Sequence, residues 1–279
     1  MVNSMTGKRV IITGPTSGIG KEIAAQLAQL GAELVLACRD SARGEQTASE
    51  IARRTGAKNC SVMTIDISSR QSICEFARQF RKRYSRLDVL INNAGLNRAQ
   101  RQMSVDGVEL TFATNVLGYH LLTRELVDVL RASVPARIVN VASTFATDLD
   151  LDDLQFEKRA YEGRKAYAQS KACDRMLTWA WARRLEGSGV TVNAMVPGLV
   201  QTGLYRDASL GVRLILRVVG MFRGRSVAQG ADTAVWLASS SEANGLSGRF
   251  FEQRKEMECE FRNTEAEEKL WGICEGLVG

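Results

Sequence analysis

A single histidine, His120, stands in a chain of 279 residues, and prolines number only three. A serine/histidine hydrolase or a histidine-rich zinc centre therefore lacks most of its parts. His120 itself lies in the apolar run GYHLLT, where a packed or capping histidine is expected. The six cysteines, Cys38, Cys60, Cys74, Cys173, Cys259 and Cys274, show no CxxC or other metal spacing and are scattered through core-like and helical segments. Reduced thiols in a cytoplasmic protein are the expectation from that usage. No run of about eighteen apolar residues occurs, and the first strand pattern starts so close to Met1 that neither signal nor membrane anchor is expected. Linkers rich in Gly, Ser or Pro are absent, as are internal repeats. Nor is charge of one sign concentrated: the net charge of +6 arises from 37 basic and 31 acidic residues intermixed, which suits an anionic ligand but does not indicate nucleic acid.

What is present is a rhythm. RVIITG, ELVLAC, SVMTID, DVLINNAG, RIVNVAS and VTVNAMVPG are short runs, most of them apolar nearly throughout, as strands must be when helices cover both faces. Between them, Gly18–Leu30, Ser69–Tyr84, Asp106–Arg131 and Arg164–Glu186 repeat apolar residues at three- and four-residue spacing. The alternation predicts an α/β fold: a single Rossmann-type, doubly wound parallel sheet of about seven strands, with GRFF at 248–251 as the edge strand. One domain is expected over 1–279, with a helical tail over about 252–279. In that tail Thr264 and Glu267 have capping-box spacing, and Leu270, Ile273 and Leu277 form a stripe that would pack on the sheet or on a second subunit.

The stretch IITGPTSGIGKEIA sets Gly14, Gly18 and Gly20 between a strand and a helix. Bare backbone there lets a pyrophosphate approach, and the helix offers unpaired N–H groups and the positive end of its dipole. A tight strand-to-helix connection would use the same glycines. The second strand ends in ACRD, where an acid would favour ribose hydroxyls; here neutral Cys38 and then Arg39 favour a 2′-phosphate, hence NADP over NAD. Asp40 is the counterargument, unless it caps the following helix. Thr16, Ser17 and Arg43 stand near enough to assist, although Arg43 also reads as an exposed arginine on a solvated helix.

Tyr167 and Lys171, in AYAQSKA, lie four apart and so one above the other on a helix, where the ammonium would lower the pKa of the phenol toward a usable range. Together with TGxxxGIG at 13–20, NNAG at 92–95, Asn115, Ser143 and PG at 197–198, the pair resembles the short-chain dehydrogenase/reductase family over residues 8 to about 250. That resemblance implies a hydride-transfer oxidoreductase in which Tyr167 is acid/base, Ser143 orients the substrate oxygen, Lys171 also holds the nicotinamide ribose, and Asn115 supports a water leading from Lys171 toward solvent. It also implies cofactor contacts from Ile19 in the glycine turn, from Asp66 and Ile67 at the adenine, from Asn92, Asn93, Ala94 and Gly95 behind the adenosine ribose, and from Pro197, Gly198, Val200 and Thr202 at the carboxamide. Asp66 reads equally as a strand-terminating polar group. Trp179 and Trp181 stand where members form dimers and tetramers, or in the core.

Ser143 and Tyr167 are separated by a longer interval than in many members, filled by TDLDLDDLQFEKRAYEG. With ACRD, GIGKE, NVLG and CEFRNTEAEEKLW, this insertion is similar to the retinol-dehydrogenase-like branch, which includes WW-domain oxidoreductases and relatives of protochlorophyllide reductase and mostly prefers NADP(H). The segment after Thr202, with Leu204, Tyr205, Leu214, Ile215 and Phe222 beside Arg213, Arg217 and Arg223, is expected to form a substrate lid over about 202–226; a peripheral membrane contact through 204–224 and subunit packing are the other readings. The leading function is an NADPH-dependent reductase of a lipophilic aldehyde or ketone, reversible to its alcohol. Reduction of a conjugated C=C bond, or a catalytically silent nucleotide-sensing module, are the alternatives.

Overall fold

The computed structural model describes residues 4–147, 149–198 and 225–279. Among these, eight strands form one sheet: β1 Arg9–Thr13, β2 Glu33–Cys38, β3 Cys60–Thr64, β4 Val89–Asn92, β5 Ala136–Val141, β6 Val190–Val196, β7 Arg249–Glu252 and β8 Lys255–Glu256. Their order is β3-β2-β1-β4-β5-β6-β7-β8. The first seven are parallel neighbours. The two-residue β8 pairs antiparallel with β7 and was not expected from the sequence, since KE in a charged stretch carries no strand signal.

Helices α1 Gly18–Gln29, α2 Ser41–Thr55, α3 Arg70–Arg83, α4 Leu110–Phe112, α5 Gly118–Arg131, α6 Gly163–Arg184, α7 Val227–Ser239 and α8 Thr264–Val278 cover both faces. Consecutive residues of a strand point to opposite faces, and β1 shows the result: Ile11 joins Phe76, Phe80, Leu121 and Trp181 under α3, α5, α6 and α8, while Ile12 joins Ile23, Leu27, Ile51 and Trp236 under α1, α2 and α7. Both isoleucines are fully buried. Burial on both faces is why the strand sequences read as unbroken apolar runs.

Two local expectations are corrected. The pattern expected to be helical from Asp106 first turns, Met103 bridging to Glu109, and helix begins only at Leu110, where the Glu109 carboxylate accepts from the N–H groups of Thr111 (2.9 Å) and Phe112 (2.7 Å). Ala113–Leu117 is then a π-turn before α5. At the C-terminus, Asn263 rather than Thr264 caps α8, accepting from Ala266 N–H at 3.0 Å. Glu267 is withdrawn from any capping box because it is buried against Arg183. The helix packs on α6 of the same chain, with Trp271 edge-on to Trp181 at 4.8 Å between ring centroids. Trp179 and Trp181 are both buried within the protomer, which removes them from any subunit surface.

The topology fixes where a ligand can sit. From β1 the chain winds outward to β3, then returns beside β1 as β4 and winds the other way. Loops leaving the carboxyl ends of β1 and β4 part in opposite directions, opening a crevice at that switch point.

Candidate active site

A cavity of about 440 Å³ opens at this switch point. Its floor is the glycine turn. Gly14 has φ +64°, and a side chain there would also meet Ala94 Cα at 2.9 Å; a Cβ on Gly20 would lie 2.3 Å from the Asn93 amide nitrogen and 2.4 Å from the Gly14 carbonyl. Glycine is required at both positions, by conformation and contact at the first and by close approach at the second. Asn93 braces the turn, donating to the carbonyls of Thr13 (2.8 Å) and Gly14 (3.1 Å), while Thr13 Oγ1 accepts from the N–H groups of Asn93 and Ala94. Thr13 was missed from the sequence, where it reads as an ordinary strand-end threonine. Thr16, Ser17, Gly18 and Ile19 line the cavity at the start of α1. Ser17 occupies the N-cap position without using its side chain on the helix, so the first-turn N–H groups and the hydroxyl face the cavity together.

Arg39, Asp40 and Arg43 line the cavity at the end of β2. Asp40 caps α2, accepting from Arg43 N–H at 3.0 Å, the helix-capping alternative weighed from the sequence. Arg39 and Arg43 are exposed, and no ion pair among the described residues engages either. Asp66 and Ile67 follow β3 and border the same space. Asp66 also shapes its own turn, accepting from the Ser68 N–H (3.0 Å) and hydroxyl (2.7 Å). Ala94 and Gly95 line the wall after β4; Asn92, at the strand end, is buried behind them and donates to Asn140 at 2.9 Å. Pro197 is on the rim, and Gly198 has φ +76° under the Arg225 guanidinium. Val200, Thr202 and the expected lid over 202–226 lie outside the described residues apart from Arg225 and Ser226.

Tyr167 and Lys171 meet this cavity from α6. Both are buried, and the Lys171 ammonium sits 5.9 Å from the Tyr167 ring centroid and 5.3 Å from that of Tyr119. The helical spacing thus does bring the pair together. Two partners of Lys171 were not foreseen: Nζ donates to the Val141 carbonyl at 3.1 Å and to Asp174 Oδ2 at 2.6 Å. Burial alone would pull the lysine down, but the charge of Asp174, helped by Tyr119 and by the hydrogen bond, holds it above its ordinary value. Burial pushes Asp174 up to about 6, against the pull of Lys171 and Arg175.

Ser143 follows β5. Its Oγ accepts from Phe145 N–H at 3.1 Å, which leaves the hydroxyl proton to be donated elsewhere. Its carbonyl accepts from Arg175, whose guanidinium stacks 4.2 Å from the Phe250 ring centroid. Asn115, in the π-turn, does not line the cavity. Its amide donates to the Leu96 carbonyl (3.0 Å) and Ser170 Oγ (2.9 Å) and accepts from Leu96 N–H (2.9 Å). The side chain clamps the loop after β4 to the residue beside Lys171; its two donors are both engaged there.

A doubly wound sheet with a glycine-rich turn at its switch point, and a Tyr–Lys pair facing the same crevice, defines a nucleotide-dependent oxidoreductase class. Comparison with known proteins agrees. The short chain dehydrogenase family matches residues 8–211, and the chain belongs to that family. It is 37% identical to human retinol dehydrogenase 14 across 99% of this chain and 87% of that protein, and 39% identical to mouse retinol dehydrogenase 12 across 98% and 87%. Among solved structures, an uncharacterized protein from Mycobacterium paratuberculosis superposes with a TM-score of 0.78 at 28% identity, covering 99% of this chain and 95% of that one. The Pseudomonas aeruginosa RhlG/NADP active-site complex gives 0.71 at 25% identity, covering 89% and 95%. The chain is an oxidoreductase acting on alcohol and carbonyl groups with a nicotinamide cofactor. No described helix is long and apolar enough to cross a membrane.

Proposed function

We propose that the protein interconverts a lipophilic aldehyde or ketone and its alcohol using NADP(H). The observation that carries this reading is one cavity bordered at one end by Arg39 and Arg43, in the middle by the glycine turn, and at the other end by Tyr167 and Lys171. A dinucleotide fits these residues: Gly14 and Gly20 let the turn close tightly on Asn93 and Ala94 beside the cavity, the start of α1 has no acid in its first turn, and two guanidiniums without an ion pair among the described residues stand where a 2′-phosphate would lie. Gly14, Thr16, Ser17, Gly18, Ile19 and Gly20 would hold the pyrophosphate, Asp66 and Ile67 the adenine side, and Asn93, Ala94, Gly95, Pro197 and Gly198 the remainder.

The bound cofactor supplies or accepts the hydride. In the reducing direction the Tyr167 hydroxyl gives its proton to the carbonyl oxygen, and in the oxidising direction Tyr167 takes that proton back from the alcohol. The positive charge of Lys171 beneath the ring favours the phenolate at that moment. Ser143, already accepting from Phe145 N–H, donates to the same substrate oxygen and aligns it. Arg175 and Asn115 keep Ser143 and the helix of the pair in register. The names of the retinol dehydrogenases it resembles support a lipophilic alcohol or aldehyde of the retinoid kind. Six free cysteines support a reducing, cytoplasmic setting.

The test is NADPH oxidation with decanal, retinal, aryl ketones and cyclic enones, with NADH in parallel. Turnover of the carbonyls, abolished in Tyr167→Phe while NADPH still binds, is expected. Turnover of enones alone would replace this reading with C=C reduction, and NADPH binding without turnover of anything would make the protein a nucleotide-sensing module.

A further inference from the structure

We propose that Asp174 is a positioning residue that holds Lys171 beneath Tyr167 and, through its own charge, sets how much of the lysine's positive charge the phenol feels. The inference rests on the oxidoreductase reading above. Tyr167, Lys171 and Asp174 are spaced four and three apart on α6, so they follow one another along one face. Tyr167 and Lys171 line the cavity, while Asp174 lies behind them and does not. Side-chain exposure is 5% for Lys171 and 1% for Asp174, with Nζ and Oδ2 at 2.6 Å. A buried ammonium without a counterion gives up its proton; the carboxylate is what keeps this one charged, and together with the Val141 carbonyl it fixes where Nζ stands.

Structural economy does not explain the aspartate. A buried ion pair contributes little or nothing to stability relative to apolar residues of similar volume, and here one carboxylate oxygen, Oδ1, is buried without a partner. The charged and titratable groups bearing on Asp174 are Lys171, Arg175 and Cys173 on α6, Tyr119 on α5 and Cys274 on α8, with Tyr167 beyond the lysine. Arg175 is committed to the Ser143 carbonyl. Burial holds both thiols and the Tyr119 phenol protonated, pushing each far upward. Lys171 is therefore the cation that answers to the state of Asp174. With the carboxylate ionised, the ammonium keeps its proton and its charge favours the phenolate of Tyr167. With that charge removed, burial draws the proton from Lys171 and the phenol becomes the weaker acid.

The full chain labelled with carbon-13 at the tyrosine ζ position reports this without any substrate, the Tyr167 resonance being identified by its loss in Tyr167→Phe. Asp174→Asn, which keeps the shape and removes the charge, is expected to move the Tyr167 midpoint up by about one pH unit, and Asp174→Glu to return it toward the wild-type value. An unchanged or lowered midpoint in Asp174→Asn overturns the proposal. Should Asp174→Asn fail to fold, titration of the wild-type Lys171 side chain, labelled with carbon-13 at the lysine ε position, decides: a midpoint at or above the ordinary value of about 10.4 is expected, and one below it overturns the proposal. These readouts need no turnover, so inactivity toward every carbonyl tested would count against the proposed function and leave the tuning of Tyr167 separately measured.

Discussion

Arg39→Ala should weaken NADPH binding far more than NADH binding. In the folded protein Arg39 has no acidic partner among the described residues and lies exposed at the cavity rim, so its removal breaks no ion pair and leaves no buried charge. The loss is therefore confined to a hydrogen bond between a guanidinium and a phosphate of nearly two negative charges, about 1.5–3 kcal/mol. Exposure to solvent screens the pair and favours the lower end. The expected effect is a tenfold to hundredfold rise in the NADPH dissociation constant, with less than about a twofold change for NADH, which lacks the phosphate. Arg43→Ala should follow the same pattern, since its guanidinium borders the same end of the cavity. Titration by nicotinamide fluorescence at two salt concentrations measures both, and salt should erode the NADPH preference of the wild type but not of Arg39→Ala. Equal losses for the two cofactors would refute the assignment of Arg39 to the 2′-phosphate.

Other consequences are as direct. Gly14→Ala forces a side chain into a left-handed conformation and against Ala94 Cα at 2.9 Å, so thermal unfolding should show a loss of about 1–3 kcal/mol together with weaker NADPH binding; an unchanged Tm would mean the turn relaxes freely. Tyr167→Phe should lower kcat by about 10²–10⁴ with NADPH affinity kept within a factor of about three, and a kcat loss under tenfold would assign the proton to another group. His120 is buried, its Nε2 donating to Glu275 of α8 at 2.6 Å while Nδ1 has no partner. Burial pulls it below the ordinary histidine value despite Glu275. Its contribution to stability is thus complete above the unfolded value of about 6.5 and lost as pH falls through the lower folded value. Because it is the sole histidine, one imidazole proton resonance reports it, and a midpoint at or above 6.5 would contradict the packing. Thermal stability should fall from pH 7 to 5 more steeply in the wild type than in His120→Gln.

The strands and most helices were legible because their signal is local. Ile11 and Ile12 each need a buried face, and a run such as RVIITG carries that requirement in neighbouring residues. Asp40 as a cap and the one-turn separation of Tyr167 and Lys171 were readable for the same reason. The reading failed where a partner comes from far along the chain. Thr264 looked like the cap of the last helix until Asn263 took that place and Glu267 was drawn to Arg183. The Asn115 side chain engages Leu96 and Ser170, 19 and 55 positions away, and no local pattern announced those partners. Thr13 and Arg175 gave no sign of their bonds to the Asn93 and Ala94 N–H groups and to the Ser143 carbonyl.

Sequence alone determined the α/β alternation, the glycine turn and the stacking of a phenol over an ammonium, since each depends on residues within one turn or one strand of each other. Only the tertiary structure decided that the turn, Arg39 and Arg43, and the Tyr–Lys pair open into a single cavity, because that follows from the return of β4 beside β1. It also decided that Lys171 is answered by a buried carboxylate. Asp174 stands three residues from Lys171 in any helix, but its charge is tied to the ammonium only because α5, α8 and the sheet exclude water from both.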